Sequence, residues 1–352
     1  MSTNKKNIKI IPAVIIALIA AVTVVTVCIA VGSVYISPKE IFAIFSHKLF
    51  GQPLPGDFDM SRMSILWNIR IPRVFMSFFA GGALSVSGAV MQSVLKNPLA
   101  SSYTLGVSSG ASLGVVLVMV SEITIPFLGS FLSPAAGFIS GFMTVMAALL
   151  LSSVLERGGR NNTVILIGMV LSLFLNAVTT LIASFNTKHQ ARISIWQTGS
   201  FAGKNMTHVL IMASVSMISL ACLIFFSREL DILTFGDEQA ASMGVQAKRV
   251  KNTVLAVTAL LTGTAVSFSG IIGFIDLIAP HVVRKIYGNS NRIVLPMSMI
   301  TGGTFMALAD LVARTILSPR EIAVGAVTAI IGAPFFAYVY FRGRREANVR
   351  GD

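Results

Sequence analysis

This sequence predicts an all-α polytopic membrane fold of about ten transmembrane helices, and three observations lead there. Its 352 residues are 54% hydrophobic and only 12% charged, with a mean hydropathy of +0.81, whereas soluble domains carry roughly 25% charged residues. Apolar stretches of about 20 residues recur from end to end, each long enough to cross a hydrocarbon core of roughly 30 Å as a helix. Segments such as VLIMASVSMISLACLIFF are apolar on every side, without the alternation of a transmembrane barrel strand. Backbone groups in lipid need internal partners, so helices are the expected element.

The amino end sets Lys5, Lys6 and Lys9 before an apolar run from Ile10 to Ile36. The run opens like a signal peptide but is too long for one, and reads as a retained first span over 10–36. Further spans are predicted at 74–95, 103–120, 131–155, 163–186, 208–227, 253–272, 274–288, 296–316 and 324–341, a single transmembrane domain over 1–352. Gly106, Gly110 and Gly114, then Gly137 and Gly141, lie one helical turn apart, where small residues let helices approach closely. The one long polar interruption, SRELDILTFGDEQAASMGVQAKRVKN, carries Asp237 and Glu238 after Gly236, as a helix start would, and Gly244 at its end. Two short helices separated by a glycine make a compact knob over 233–250, shaped for a partner's groove.

The net charge of +13 sits in short clusters between apolar segments, which points to topology and excludes a nucleic-acid face. Threading ten spans puts seventeen of the 27 Lys and Arg on the side of the termini, so both termini are expected in the cytoplasm. Cys28 and Cys222 lie inside separate apolar segments, which indicates neither a disulfide nor a metal site. GVSSG at Gly106–Gly110 matches a nucleophile elbow around Ser108, but no histidine stands in a triad context and a chance match is the reading adopted. There is no GxxxxGK[ST] loop, so ATP, if it drives this protein, binds another chain. Asp310 and Arg314 share a helix face four residues apart and can pair. Asp276, in GFIDLIAPHVVR, has no local partner and lines a wet cavity or meets a cation. Arg70 and Arg73 suit a pair of carboxylates, or else anchor the interface beside Trp67.

WNIRIPRVF, SGAVMQSVLKNPLA, LGVSSGASLG, GFIDLIAPHVVR, LADLVAR and EIAVGAVTAIIGAPFF occur in that order, and over roughly residues 30–341 the chain resembles the FecCD-type permeases that import ferric siderophores, haem and cobalamin. The resemblance implies a type II ABC importer permease fold of ten helices in the bacterial cytoplasmic membrane. It implies as partners a second permease subunit, two ATP-binding subunits, an extracytoplasmic solute-binding protein and membrane lipid; no cofactor is implied, and the permease itself is no enzyme. Carried residue by residue, it makes Arg70, Arg73 and Arg314 the binding-protein docking positions. Gly236, Asp237, Glu238, Ala240 and Gly244 become the ATPase contact, and Asn161 and Asn162 fall in the gate region. Two departures stand out. Asp276 occupies a position usually glycine, which puts it in the translocation path as a determinant of cavity polarity. Ser101 and Ser102 replace a usual Asp-Pro pair.

Ferric siderophore is the first expectation for cargo, with haem or cobalamin as alternatives. Two other classes remain to be weighed: an ion-coupled secondary transporter using Asp276 and Asp310, and an intramembrane hydrolase using Ser108.

Overall fold

The computed structural model describes residues 3–32, 34–54, 58–155 and 161–350. Among them there are helices and turns and no strand. Fifteen helices follow in order: α1 Thr3–Ala30, α2 Pro38–Phe50, α3 Met60–Ser64, α4 Ile71–Leu95, α5 Val107–Ser121, α6 Leu132–Leu155, α7 Asn161–Phe185, α8 Gln190–Gln197, α9 Met206–Phe225, α10 Ser227–Leu233, α11 Asp237–Ser242, α12 Ala247–Ser269, α13 Ile275–Tyr287, α14 Asn291–Thr315 and α15 Val324–Arg350. Seven are long and apolar enough to cross a membrane, and α5 and the stretch Val324–Tyr338 of α15 are shorter apolar helices.

The ten expected spans each meet a helix, with shifted ends. The first helix stops at Ala30, and α2 begins at its Ser37 cap. Ser37 and Glu40 close a capping box around Pro38, and Gly51 ends α2 in the left-handed region, the turn chemistry that stops a helix sharply. Ahead of α4, α3 and a π turn over Ile65–Arg70 extend the helical run back to Met60. Between α12 and α13 the chain breaks at 270–274, so α13 is only 13 residues long.

The centre of the bundle is α4, 22 of whose 25 residues are buried, with α12 and α14 behind it, 72% and 61% buried over their most apolar 18 residues. Glycine makes that packing possible. At Gly81 a side chain would strike Met306 and the Gly302 carbonyl, and at Gly88 it would overlap the Asp276 backbone, so α4 lies directly against α14 and α13. By contrast α7, at 11% buried, and α1, at 17%, show apolar surface on most sides, the composition expected of helices that meet lipid or another subunit.

Candidate functional site

Polar groups gather at the two ends of α4 and α14. Arg73 and Gln92 are 19 residues apart on α4, and Asn291 and Asp310 19 apart on α14; at 1.5 Å per residue each pair spans about 28 Å. That is close to the thickness of a hydrocarbon core.

At one end, Arg73 donates from Nε to both Asp310 oxygens at 3.0 Å and from Nη2 to Oδ1 at 2.9 Å. Its Nη1 reaches Glu321 Oε1 at 2.6 Å. Arg314 stands on the far side of Asp310, with Nε 3.7 Å from Oδ2, and Nη2 donates to the Cys28 carbonyl. Arg70 donates to the carbonyls of Ile29, Ala30 (2.8 Å) and Val34, satisfying the exposed C-terminal acceptors of α1 with a cation placed at the negative end of its dipole. All four are buried: Arg70 is 3% exposed, Arg73 6%, Asp310 1% and Arg314 8%. Glu321 alone is substantially exposed, with its side chain at 42%. The cluster holds three guanidinium groups, two of them beside its two carboxylates, and so carries one positive charge in excess. The spacing-based pairing of Asp310 with Arg314 is present but secondary; the tighter partner, Arg73, comes from 237 residues away in sequence. Trp67 packs edge-on to Phe45 at 5.9 Å, near but separate from the arginines.

At the other end, α10 and α11 form a two-helix knob with Gly236 (φ 135°) between them and Gly244 (φ 83°) after. Asp237 turns back to the bundle, to Lys251 Nζ at 2.5 Å and Lys96 Nζ at 3.4 Å. Partial burial works against the Asp237 carboxylate, but the two lysines outweigh it and hold the carboxyl below the usual range. Ala240 is fully buried under the knob while Glu238 is exposed. Asp231 accepts from the Asn291 backbone at 2.8 Å and side chain at 2.7 Å, pinning α10 to the start of α14. What the sequence reading passed over is that the knob exposes Phe235 at 70% and Met243 at 62%. A large apolar side chain before the first glycine and another just before the second was the available signal. An exposed aromatic and an exposed methionine on one small knob suit a protein partner. Beside the knob a cavity of about 590 Å³ is lined by Gln92, Lys96, Asp231, Phe235 and Arg284 among others.

Asp276 is 1% exposed. Its Oδ2 accepts from the Ser101 hydroxyl and from the Ser102 N–H at 3.3 Å, while Oδ1 has no partner. Asn161 begins α7, but the side chains of Asn161 and Asn162 lie outside the described residues. Ser108 sits in the first turn of α5 after a helical turn, not on a strand-to-helix elbow. Among the described residues no group of three or more His, Cys, Asp or Glu could hold a metal ion.

One end of the helical bundle is thus arginine-rich, and the other bears the knob. Residues 14–342 match the model of the FecCD transport family. This chain belongs to that family. The FecCD proteins are membrane permeases of ABC transporters, transport subunits and not catalytic enzymes. This FecCD chain is 37% identical over 317 residues to the uncharacterised ABC transporter permease YvrB of Bacillus subtilis, covering 90% of each. To the hemin transport system permease HmuU of Yersinia pestis it is 33% identical, over 80% of this chain and 84% of that one. It superposes with a TM-score of 0.80, at 26% identity, on an inward-facing transporter assigned to the metal-chelate type of ABC transporter, over 94% of this chain and 99% of the other.

Proposed function

We infer that this chain is the translocating subunit of a binding-protein-dependent ABC importer for a metal chelate, with a ferric siderophore as first-choice cargo and haem or cobalamin as alternatives. The observation that carries this reading is the placement of the arginine cluster at one end of α4 and α14 and of the knob fastened to their other end, about 28 Å away. The Arg70–Arg73–Arg314 end, with its excess positive charge, suits acidic residues of an extracytoplasmic solute-binding protein. The knob, with Phe235, Met243 and Glu238 outward, suits a groove on an ATP-binding subunit. A second permease subunit, identical or related, pairs with this one around the path, both termini are cytoplasmic, and ATP binding and hydrolysis on the partner chains switch the path between outward and inward openings. Residues 1–352 act as one transmembrane domain, with 233–250 as its coupling helices and Asn161 and Asn162 at the inner gate.

Arg70 and Arg73 serve two purposes in this reading, since their inner nitrogens hold the fold while the cluster's net charge draws the partner. The ion-coupled alternative is weakened at Asp310, which is paired with arginine, and finds support only at Asp276. Replacing Phe235 and Met243 with serine tests the knob. Loss of co-purifying ATP-binding subunits from an otherwise monodisperse permease is the expected result, and full retention would remove the coupling assignment.

A further inference from the structure

The crossing from α4 to α5, residues 96–102, is fastened at both ends to other parts of the molecule. Its outer end is Lys96, 3.4 Å from Asp237 of the knob. Its inner end is Ser101–Ser102, whose hydroxyl and N–H both donate to Asp276 Oδ2 at the start of α13. From there the chain enters a tight turn over Ser102–Leu105 that lies directly on α7, where a side chain at Gly168 would collide with Thr104 and Leu105 backbone. The strap therefore runs from the knob, past a fixed point on α13, into the junction of α5 and α7. Asp276 has no basic partner within ion-pair distance among the described residues, and a buried carboxylate is retained at a cost. The buried Ser102 N–H needs an acceptor, and Asp276 provides it.

We propose that Asp276 is a positioning residue for transport: it anchors the inner end of the 96–102 strap, through which displacement of the knob reaches α5 and α7. This rests on the knob being the ATPase contact. The test uses the chain purified with its co-expressed ATP-binding subunits in liposomes, reading ATP hydrolysis without binding protein. Asp276→Asn keeps an acceptor oxygen for both donors and holds the rate within about twofold of wild type. Asp276→Ala frees the strap, so the knob no longer carries the helices and hydrolysis rises about fivefold or more; Ser101→Ala moves it the same way by less. Subunit co-purification stays intact throughout. An Asp276→Ala rate within twofold of wild type overturns the proposal, as does an Asn variant as damaged as the Ala variant, the signature of a charge or cation role. If Asp276→Ala does not assemble, Ser101→Ala decides alone, with an unchanged rate counting against. Failure of the ATP-binding subunits to associate with the wild-type chain through the knob removes the underlying reading instead, which the other outcomes leave standing.

Discussion

Arg73 on α4 and Asp310 on α14 meet across the central helix pair through three hydrogen bonds of 2.9–3.0 Å, with neither side chain more than 7% exposed. A pair so desolvated gains stability only while both partners are present. Asp310→Ala leaves two buried guanidinium groups sharing the exposed Glu321, and is expected to destabilise the permease by about 3–5 kcal/mol. Replacing both residues together, Arg73→Met with Asp310→Leu, should recover part of that loss, Arg314 still lacking its carboxylate. Thermal unfolding in detergent reads both, and a double variant as unstable as Asp310→Ala would show that the pair is not the cause.

The same burial changes how docking has to be tested. Arg70→Met removes the donors to the last two carbonyls of α1 and to the Val34 carbonyl beyond it and should cost about 1–3 kcal/mol, in the range of a lost charged hydrogen bond. Glu321→Gln keeps the fold while raising the cluster's net charge. It is therefore expected to speed association with an acidic binding-protein surface at low salt, an effect that fades as salt rises. Association rates measured across a salt series check this, and an unchanged rate at low salt would contradict a docking role for the cluster.

Gly88 separates α4 from the Asp276 backbone with no room for a methyl. Gly88→Ala should force the two helices apart, at about 1–3 kcal/mol or more, seen as loss of monodisperse protein. Gly263→Ala, where the nearest atom stands at 3.5 Å, is the matched control and should be tolerated.

The Asp237 carboxyl is held below the usual carboxylate range by Lys251 and Lys96. Its folded value is depressed, so its contribution to knob stability is present above the unfolded pKa of about 3.9 and is lost as pH falls through the folded value. Hydrogen exchange of the α11 amides, corrected for intrinsic rates, should then be flat from about pH 8 to pH 5 and accelerate only in stronger acid. Asp237→Asn should show the accelerated exchange across the whole range; protection equal to wild type would dismiss the pairing.

Hydropathy made the spans legible because a helix as little covered by the rest of the chain as α7 carries apolar residues on most sides. Their ends were harder to place. The span expected from 296 begins at Asn291, since polar Asn291 finds its partner in Asp231 inside the protein. The helix expected from 253 begins at Ala247 for a similar reason, with Lys251 buried against Asp237. Local chemistry showed the knob, because Gly236 and Gly244 are read from neighbours in sequence. Arg73 with Asp310 and Asp276 with Ser101 join positions 237 and 175 residues apart, and only the packing of α4 against α13 and α14 brings them together. The Ser37–Pro38–Glu40 start of α2 carried a legible capping signal that span-seeking overlooked.

The central claim is transport powered by ATP on partner chains. Its most direct test is uptake of labelled ferric citrate, a ferric hydroxamate siderophore, haemin and cobalamin into proteoliposomes holding the permease, its ATP-binding subunits and its solute-binding protein. Accumulation of at least one of these chelates, requiring hydrolysable ATP and both partners and unaffected by an uncoupler, is the expected result. Uptake that persists without the ATP-binding subunits and collapses with the uncoupler would contradict it.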